Sequence, residues 1–100
     1  MDVEFEDAAL SRLEQEASFT GGYEPGVVKA FRKRMQLIRA AIDERAFRAM
    51  KSLHYEKLKG DLEGYNSMRL NDQWRLLLKL LQKPDGKLVV VVAIADYHRP

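Results

Sequence analysis

The sequence predicts an α+β domain in which two N-terminal helices pack on one face of a small, twisted antiparallel sheet. Three observations point to this class. Apolar residues recur at helical spacing in the first half of the chain, apolar and polar residues alternate in the second half, and 100 residues suffice for one compact core. The predicted order is one strand, two helices and three strands, in a single domain that spans residues 1–100.

The N-terminal half is predicted to form a short strand at residues 3–5 and then two helices. Asp7 is a suitable N-cap for the first helix, which Gly21 and Gly22 follow as breakers. Pro25 suits the first turn of the second helix. That helix carries one apolar stripe, made of Val27, Phe31, Met35, Ile38 and Ile42. A short helical segment at residues 46–50 completes this half.

The C-terminal half is predicted to form three strands. Residues 65–70 and 74–80 alternate in polarity, and the turn-forming pair Asn71 and Asp72 separates them. A hairpin turn is predicted at residues 84–86, which read Pro-Asp-Gly. Residues 88–95 form a nearly continuous β-branched run, which is typical of a strand covered on both faces. The polar residues 57–64 are expected to form a loop.

Composition excludes several kinds of site. The chain has no cysteine, so disulfides, thiolate metal sites and a cysteine nucleophile are ruled out. It shows neither metal-ligand spacing nor a glycine-rich nucleotide loop, and we therefore expect no metal and no cofactor. The acidic N-terminus lacks a signal pattern, and the longest apolar run is far too short to span a bilayer. We expect a cytoplasmic protein without a membrane partner.

Charge is unevenly distributed along the chain. Residues 1–28 hold seven acidic side chains and one basic one, whereas residues 29–59 hold ten basic side chains and three acidic ones. Part of the basic set, including Arg32 and Arg39, falls on the side of the second helix opposite its apolar stripe. Such a field favours a polyanionic partner, although a merely solvated helix face is equally compatible with the charge run.

Proton-transferring groups cluster at the end of the last predicted strand. Asp96, Tyr97 and His98 are consecutive, and strand alternation places Asp96 and His98 on one face and Tyr97 on the other. Arg69 and Arg75 lie on the two preceding strands, each opposite its strand's large apolar residues, where a guanidinium can grip a phosphate. The alternatives are a solubilising chain end and surface salt bridges.

The segment before the sheet holds weaker candidates. Lys57 and Lys59 precede Gly60 and could approach a backbone phosphate, but such loops are common. His54 comes just before them, and a single histidine is more often structural than catalytic. The residues themselves leave its role open.

Three ordered motifs resemble the HigB-type toxins of the RelE/ParE superfamily. They are LKGD at residues 58–61, YNSMRLNDQWR at residues 65–75 and DYH at residues 96–98. The resemblance covers about residues 53–98, whereas the N-terminal half agrees only in its strand–helix–helix layout. It implies a RelE-like fold and a toxin that enters the ribosomal A site and cuts mRNA without a metal, through attack of a ribose 2′-OH on the adjacent phosphate.

The resemblance also implies roles for individual residues. Asp96 and His98 would transfer protons and position the strand, and Tyr97 would stack on a base or donate a proton. Arg75 would brace the phosphate. Electrostatic support for the phosphate would come from Lys57, Lys59 and Arg69. On the second helix, Arg32 and Arg39 would meet ribosomal RNA.

One position departs from the pattern of some members. They carry a histidine just before the LKG motif, where this chain has Glu56, and the nearest imidazole belongs to His54. Proton transfer could therefore involve Glu56, His54, or Asp96 and His98 alone, and the last scheme is the one we favour from the sequence.

The resemblance further implies a partner. A HigA-type antitoxin with a helix-turn-helix would neutralise the toxin, and operator DNA would be contacted only through that antitoxin. Two alternative functions remain open for this chain on the same scaffold. It could be a ParE-like toxin that binds DNA gyrase without cutting RNA, or a catalytically degenerate toxin that serves as antitoxin partner or co-repressor.

Overall fold

A five-stranded mixed sheet and three helices form the protein in a computed structural model that describes residues 1–96. The helices are α1 (Ala8–Gln15), α2 (Pro25–Ala40) and the short α3 (Arg45–Ala49). The strands are β1 (Asp2–Phe5), β2 (Glu56–Lys57), β3 (Asn66–Arg69), β4 (Trp74–Lys83) and β5 (Gly86–Asp96). None of the helices in this described part is long and apolar enough to cross a membrane.

The sheet order is β1-β5-β4-β3-β2, with β2 and β1 at its edges. The three predicted C-terminal strands do form an antiparallel meander, but β1 runs parallel to β5, so the sheet is mixed. The two-residue strand β2 overlaps the start of the loop predicted at residues 57–64 and pairs with β3. Periodicity does not reveal so short an element because two residues contain no alternation to detect.

Helices α1 and α2 cover one face of the sheet, as predicted. Their buried side chains form one core with the sheet's helix-facing residues, which include Met68, Leu76, Leu78, Val89 and Val91. We call the opposite side of the sheet the outer face. Because opposed residues on paired strands share a face, the register assigns each strand residue to one side or the other.

Several local predictions are confirmed and one is wrong. Asp7 caps α1 by accepting a hydrogen bond from the N–H of Ala9, 2.8 Å away. Asn71 Oδ1 accepts from the N–H groups of Gln73 and Trp74 and so closes the predicted turn. Ile42, predicted to belong to the buried stripe, is 89% exposed because α2 ends at Ala40.

Candidate functional site

Arg69 and Arg75 form a cross-strand pair on the outer face. They are direct register partners on β3 and β4, where each alternates with the buried residues Met68 and Leu76. Arg69 donates a hydrogen bond to Asp72 in the following turn. The structure therefore confirms that the two arginines share a face and are direct neighbours across the strand pair.

Arg75 is fixed in place by its surroundings. Its Nε donates to Ser67 Oγ at 2.9 Å, and its Nη2 donates to the backbone carbonyl of His54 at 2.5 Å. The residue is only 7% exposed. A buried cation needs such partners, and they hold this guanidinium in one orientation.

His54 owes its position to an unusual backbone conformation. It ends a 3-10 turn at Lys51–Leu53 with φ 47° and ψ 46°, a left-handed geometry that is uncommon outside glycine. This geometry directs the His54 carbonyl to Arg75, while the residue itself remains exposed. Backbone strain of this kind is often found at functional sites.

Glu56 completes the cluster around Arg75. It is the register partner of Ser67, so its side chain belongs to the outer face. Its Oε1 lies 3.6 Å from Arg75 Nη2, and its side chain is 52% exposed. A carboxylate that solvent can reach and an exposed histidine thus border the same guanidinium.

A shallow depression of about 240 Å³ opens above the arginine pair. It is lined by His54, Arg69, Asn71, Asp72 and Arg75. A third guanidinium approaches from α2, where Arg34 donates its Nε to the Arg69 carbonyl at 3.0 Å. Burial, and after it repulsion from Arg69, lowers the pKa of Arg34. The depression therefore gathers guanidinium groups, of which those of Arg69 and Arg75 each have a nearby carboxylate partner, and an incoming phosphate could replace Asp72 on the exposed side of Arg69.

Asp96 does not join Arg75. Its register partner is Trp74, whereas Arg75 pairs with Ala95, so the two side chains lie on opposite faces. The reason is a β-bulge: Val91 and Ala93 face consecutive β4 residues, and Val92 between them has no partner. Asp96 instead accepts a hydrogen bond from Gln73 at 3.1 Å. The resemblance implies that Asp96 and Arg75 act on the same phosphate, but their side chains lie on opposite faces of the sheet, and Tyr97 and His98 lie outside the described residues.

Lys57 and Lys59 are also separate from the arginine pair. Lys57 is the register partner of Asn66, which belongs to the helix-facing side of the sheet. Both lysines line a second, larger cavity beside β2. The sequence placed them in one functional set with Arg69 because it contains no information on which side of the edge strand each lies.

Arg32 and Arg39, expected to meet RNA, both have partners within the protein, and their contact with RNA stays a prediction. Arg32 donates to four backbone carbonyls at the end of α1 and in the loop after it, at 2.9 to 3.3 Å. Arg39 forms a two-pronged ion pair with Glu14, at 2.6 and 2.7 Å. These guanidinium groups tie α2 to α1, and we leave them out of the candidate site.

Ser67 is the site residue that sequence reasoning missed. It is fully buried and orients Arg75, and the available signal was its polar position within an alternating strand, two residues before Arg69. Within residues 1–96 no three histidine, aspartate or glutamate side chains gather as metal ligands would. The chemistry present is a depression lined by two arginines, Asp72 and His54, with the Glu56 carboxylate next to Arg75.

Comparisons with known proteins identify the family to which this fold and sequence are similar. A family model described as a RelE-like toxin of the type II toxin–antitoxin system HigB matches residues 3–98. No curated protein sequence matches the chain.

Solved structures share the fold at low sequence identity. The chain is similar to the YafQ structure from E. coli strain BL21(DE3), with 16% identity, coverage of 96% of this chain and 92% of the other, and a TM-score of 0.61. It is also similar to the YoeB/ParE toxin from Agrobacterium tumefaciens, with 16% identity, coverage of 98% and 100%, and a TM-score of 0.58. A YoeB-YefM toxin–antitoxin complex from Staphylococcus aureus matches at 20% identity, coverage of 99% and 98%, and a TM-score of 0.58. By the family match over nearly its whole length, the chain belongs to the HigB-like family of RelE-like type II toxins.

Proposed function

We propose that this toxin is a metal-independent endoribonuclease that cuts mRNA in the ribosomal A site and so stops translation. The observation that carries the proposal is the immobilised Arg75 beside Arg69 on the outer face. Phosphoryl transfer gains most from cations fixed where negative charge develops, and a guanidinium fork matches the phosphate oxygens. A protein that only bound a partner would have no need for this arrangement beside two titratable groups.

The proposed reaction is attack of a ribose 2′-oxygen on the adjacent phosphorus. The 2′-OH proton passes to a base as the O2′–P bond forms. The P–O5′ bond then breaks, the 5′-oxygen takes a proton from an acid, and the products are a 2′,3′-cyclic phosphate and a 5′-OH end. Arg75 and Arg69 stabilise the additional negative charge on the phosphate oxygens.

Proton transfer is proposed to use groups at the edge of the depression and the DYH motif. Glu56 and His54 border Arg75 and are the two candidates for the base. His98 is the proposed acid and Tyr97 the proposed base-stacking residue, as the motif implies. Asp96, which bonds to Gln73, is then a positioning residue for the end of β5 rather than a group in contact with RNA.

The proposed partners follow from the family. The Staphylococcus aureus relative is a toxin–antitoxin complex, and we propose a HigA-type helix-turn-helix antitoxin for this chain, with operator DNA contacted through it. The proposed site of action is the cytoplasm, where the toxin meets ribosomes. Exposed lysines of α2, Lys29 and Lys33, are better candidates for ribosomal RNA contacts than Arg32 and Arg39.

Induced expression with mapping of mRNA 5′ ends tests this function. We expect growth arrest and new 5′-OH ends within translated codons, which vanish when translation initiation is blocked. Supercoiling defects with intact mRNA would instead indicate the gyrase-binding alternative. Intact mRNA without growth arrest would indicate the degenerate toxin.

Single substitutions test the site. Arg69→Ala removes a half-exposed guanidinium and is expected to lower cleavage at least tenfold in a folded protein. Arg75→Lys keeps the charge but loses the fork, and it is preferable to Arg75→Ala, which would leave Ser67 and the His54 carbonyl unpartnered. Full cleavage by both variants would reject the arginine pair as the active site.

Comparison of Glu56→Gln with His54→Gln identifies the base. Only replacement of the residue that acts as the base should remove the acidic limb of the pH–rate profile.

A further inference from the structure

A second cavity, which we call the edge pocket, lies beside the edge strand β2, on the side away from Arg75. This edge pocket measures about 550 Å³, a size typical of sites for small organic ligands. Its polar lining includes Arg48, Lys57, Lys59 and Asn66, and apolar atoms come from Leu58 and Leu80. The mechanism proposed above uses none of these groups, so the pocket calls for an explanation of its own.

Asn66 contributes an unsatisfied hydrogen-bond acceptor to the pocket. The residue is 7% exposed on β3, and its side-chain oxygen is buried with no hydrogen-bond partner in the described structure. Native proteins rarely leave such an acceptor unsatisfied, because it has lost its water without gaining a donor. A ligand that brings an N–H group to Asn66 Oδ1 would remove this penalty.

The charges of the pocket indicate that such a ligand is an anion. Four cationic side chains line it, against the two carboxylates of Glu44 and Glu63. Glu44 is already held by Lys87, with both oxygens within 2.6 Å of Nζ. The lysines of the edge, Lys57 and Lys59, are thus opposed mainly by Glu63, and the field in the pocket is positive.

We propose that the edge pocket binds one nucleotide, with the base edge at Asn66 and the phosphate at Lys57 and Lys59. A nucleotide combines the three features that the lining requires: an N–H donor, a negative charge, and a flat ring for the apolar walls of Leu58 and Leu80. This inference deepens the proposed nuclease function, since the nucleotide can belong to the RNA being cut. A free mononucleotide offers the same chemistry.

The two-residue strand β2 connects this pocket to the candidate active site. Glu56 projects to the outer face beside Arg75, and its neighbour Lys57 projects to the pocket. An RNA strand that crosses this edge would place the phosphate to be cut on one side and a flanking nucleotide on the other. The pocket would then contribute to the choice of the cleaved sequence.

Asn66→Leu is the variant that separates binding from folding. Leucine keeps the γ-branched shape of asparagine with somewhat larger end groups, and removal of the unpartnered buried oxygen should offset the cost of the added volume, so we expect a folded protein of similar stability. Binding should nevertheless weaken about tenfold, the factor expected for one hydrogen bond to a base edge. The measurements are NMR titration of the intact chain with AMP, and fluorescence anisotropy with a short single-stranded RNA that carries 2′-deoxy sugars to prevent cleavage.

Lysine variants provide the matched control. Lys59→Ala should reduce the salt dependence of RNA binding, lowering the slope of log K against log salt by about 0.7. Lys83→Ala makes the same change of charge in an exposed residue at the end of β4, and it should leave the slope unaltered. If Asn66→Leu proves unstable, the lysine pair still tests the proposal.

The outcomes separate this inference from the nuclease function. AMP shifts at the pocket that weaken in Asn66→Leu support a free-nucleotide site, and weakening of RNA binding alone supports a flanking nucleotide of the strand. Unchanged binding of both probes by a folded Asn66→Leu overturns the inference, even if wild-type protein cuts mRNA. Pocket residues that respond to the antitoxin and to neither probe also overturn it. Nucleotide binding through Asn66 without RNA cleavage would instead reject only the nuclease.

Discussion

Arg32 and Arg39 show how the same residue type on one helix face can serve different purposes. Arg39 meets the carboxylate of Glu14, and this hydrogen bonding raises the pKa of the arginine. Arg32 has no such counter-ion among its described contacts and donates to the Leu13 carbonyl in the last turns of α1 and to three carbonyls beyond its end. The sequence could place both on the polar side of α2, but three of the carbonyls that Arg32 reaches belong to a loop whose path no periodicity specifies.

Arg32→Ala is expected to destabilise the protein by about 2 kcal/mol, since it leaves several carbonyls of the α1–α2 connection without their donor. Arg32→Lys should recover little, because an ammonium cannot reproduce the fork. Urea unfolding followed by circular dichroism measures the change. Lys33→Ala, an exposed neighbour with the same charge, should shift stability by less than about 0.5 kcal/mol. Equal effects of the two alanine variants would contradict a structural role for Arg32.

Within residues 1–96, the hydroxyl of Tyr55 is, like Asn66 Oδ1, a buried polar atom without a hydrogen-bond partner. The ring packs against Phe47 with 5.3 Å between centroids, and burial raises the pKa of Tyr55 to about 12. Tyr55→Phe keeps this packing and removes the hydroxyl, so we expect equal or greater stability, by up to about 1 kcal/mol. Thermal unfolding would reveal the change. A loss of more than about 1 kcal/mol would mean that the hydroxyl has a partner in solution.

At the scale of elements, β5 shows where sequence reasoning reaches its limit. The run of β-branched residues correctly predicted a strand, and the Pro-Asp-Gly turn correctly predicted its pairing with β4. With regular alternation from the buried Val91, Asp96 would lie on the face of Arg75. The unpaired Val92 moves it to the other side. In a run of valines every residue suits either face, so the pattern could not locate the bulge.

The start of α3 depends on an ion pair that titrates. Asp43 accepts hydrogen bonds from the side chain and then from the backbone N–H of Arg45, and these lower the pKa of Asp43 from 3.8 to about 2. Since the folded pKa is lowered, the pair stabilises α3 above pH 3.8, and this contribution is lost as pH falls through about 2.

Arg45→Ala should therefore raise the pKa of Asp43 back toward 3.8 without fully reaching it, because the backbone hydrogen bond remains. NMR titration of the Asp43 side-chain carbonyl carbon measures this value. High salt should produce a smaller shift in the same direction, as Arg45 is 85% exposed. A pKa that stays near 2 in the variant would assign the whole effect to the backbone.

At the scale of the whole molecule, stability is distributed unevenly across the sheet. Residues 88–91 pair on both sides, with β1 and with β4, and their side chains are buried. Strand β2 has only two residues, one neighbour and exposed side chains. The candidate active site and the edge pocket both adjoin this weaker edge, as expected where a binding surface must adapt to its ligand.

Hydrogen exchange should show this gradient directly. We expect the amides of Val89 and Val91 to exchange on the order of a thousandfold more slowly than those of residues 60–64, because the former open only when the sheet unfolds. Exchange followed by NMR or mass spectrometry provides the rates. Similar protection in both segments would show that the edge is as rigid as the core.

The parallel pairing of β1 with β5 has a consequence during synthesis. Phe5 pairs with Val91, from which more than eighty residues separate it along the chain. The sheet can therefore close only after nearly the whole described chain has been made. A ribosome that translates this toxin therefore carries an unfinished sheet, because β5, the strand that joins β1 to the rest of the sheet, is made last. If the toxin attacks ribosomes as proposed, the growing chain can do so only after β5 has emerged and the sheet has closed.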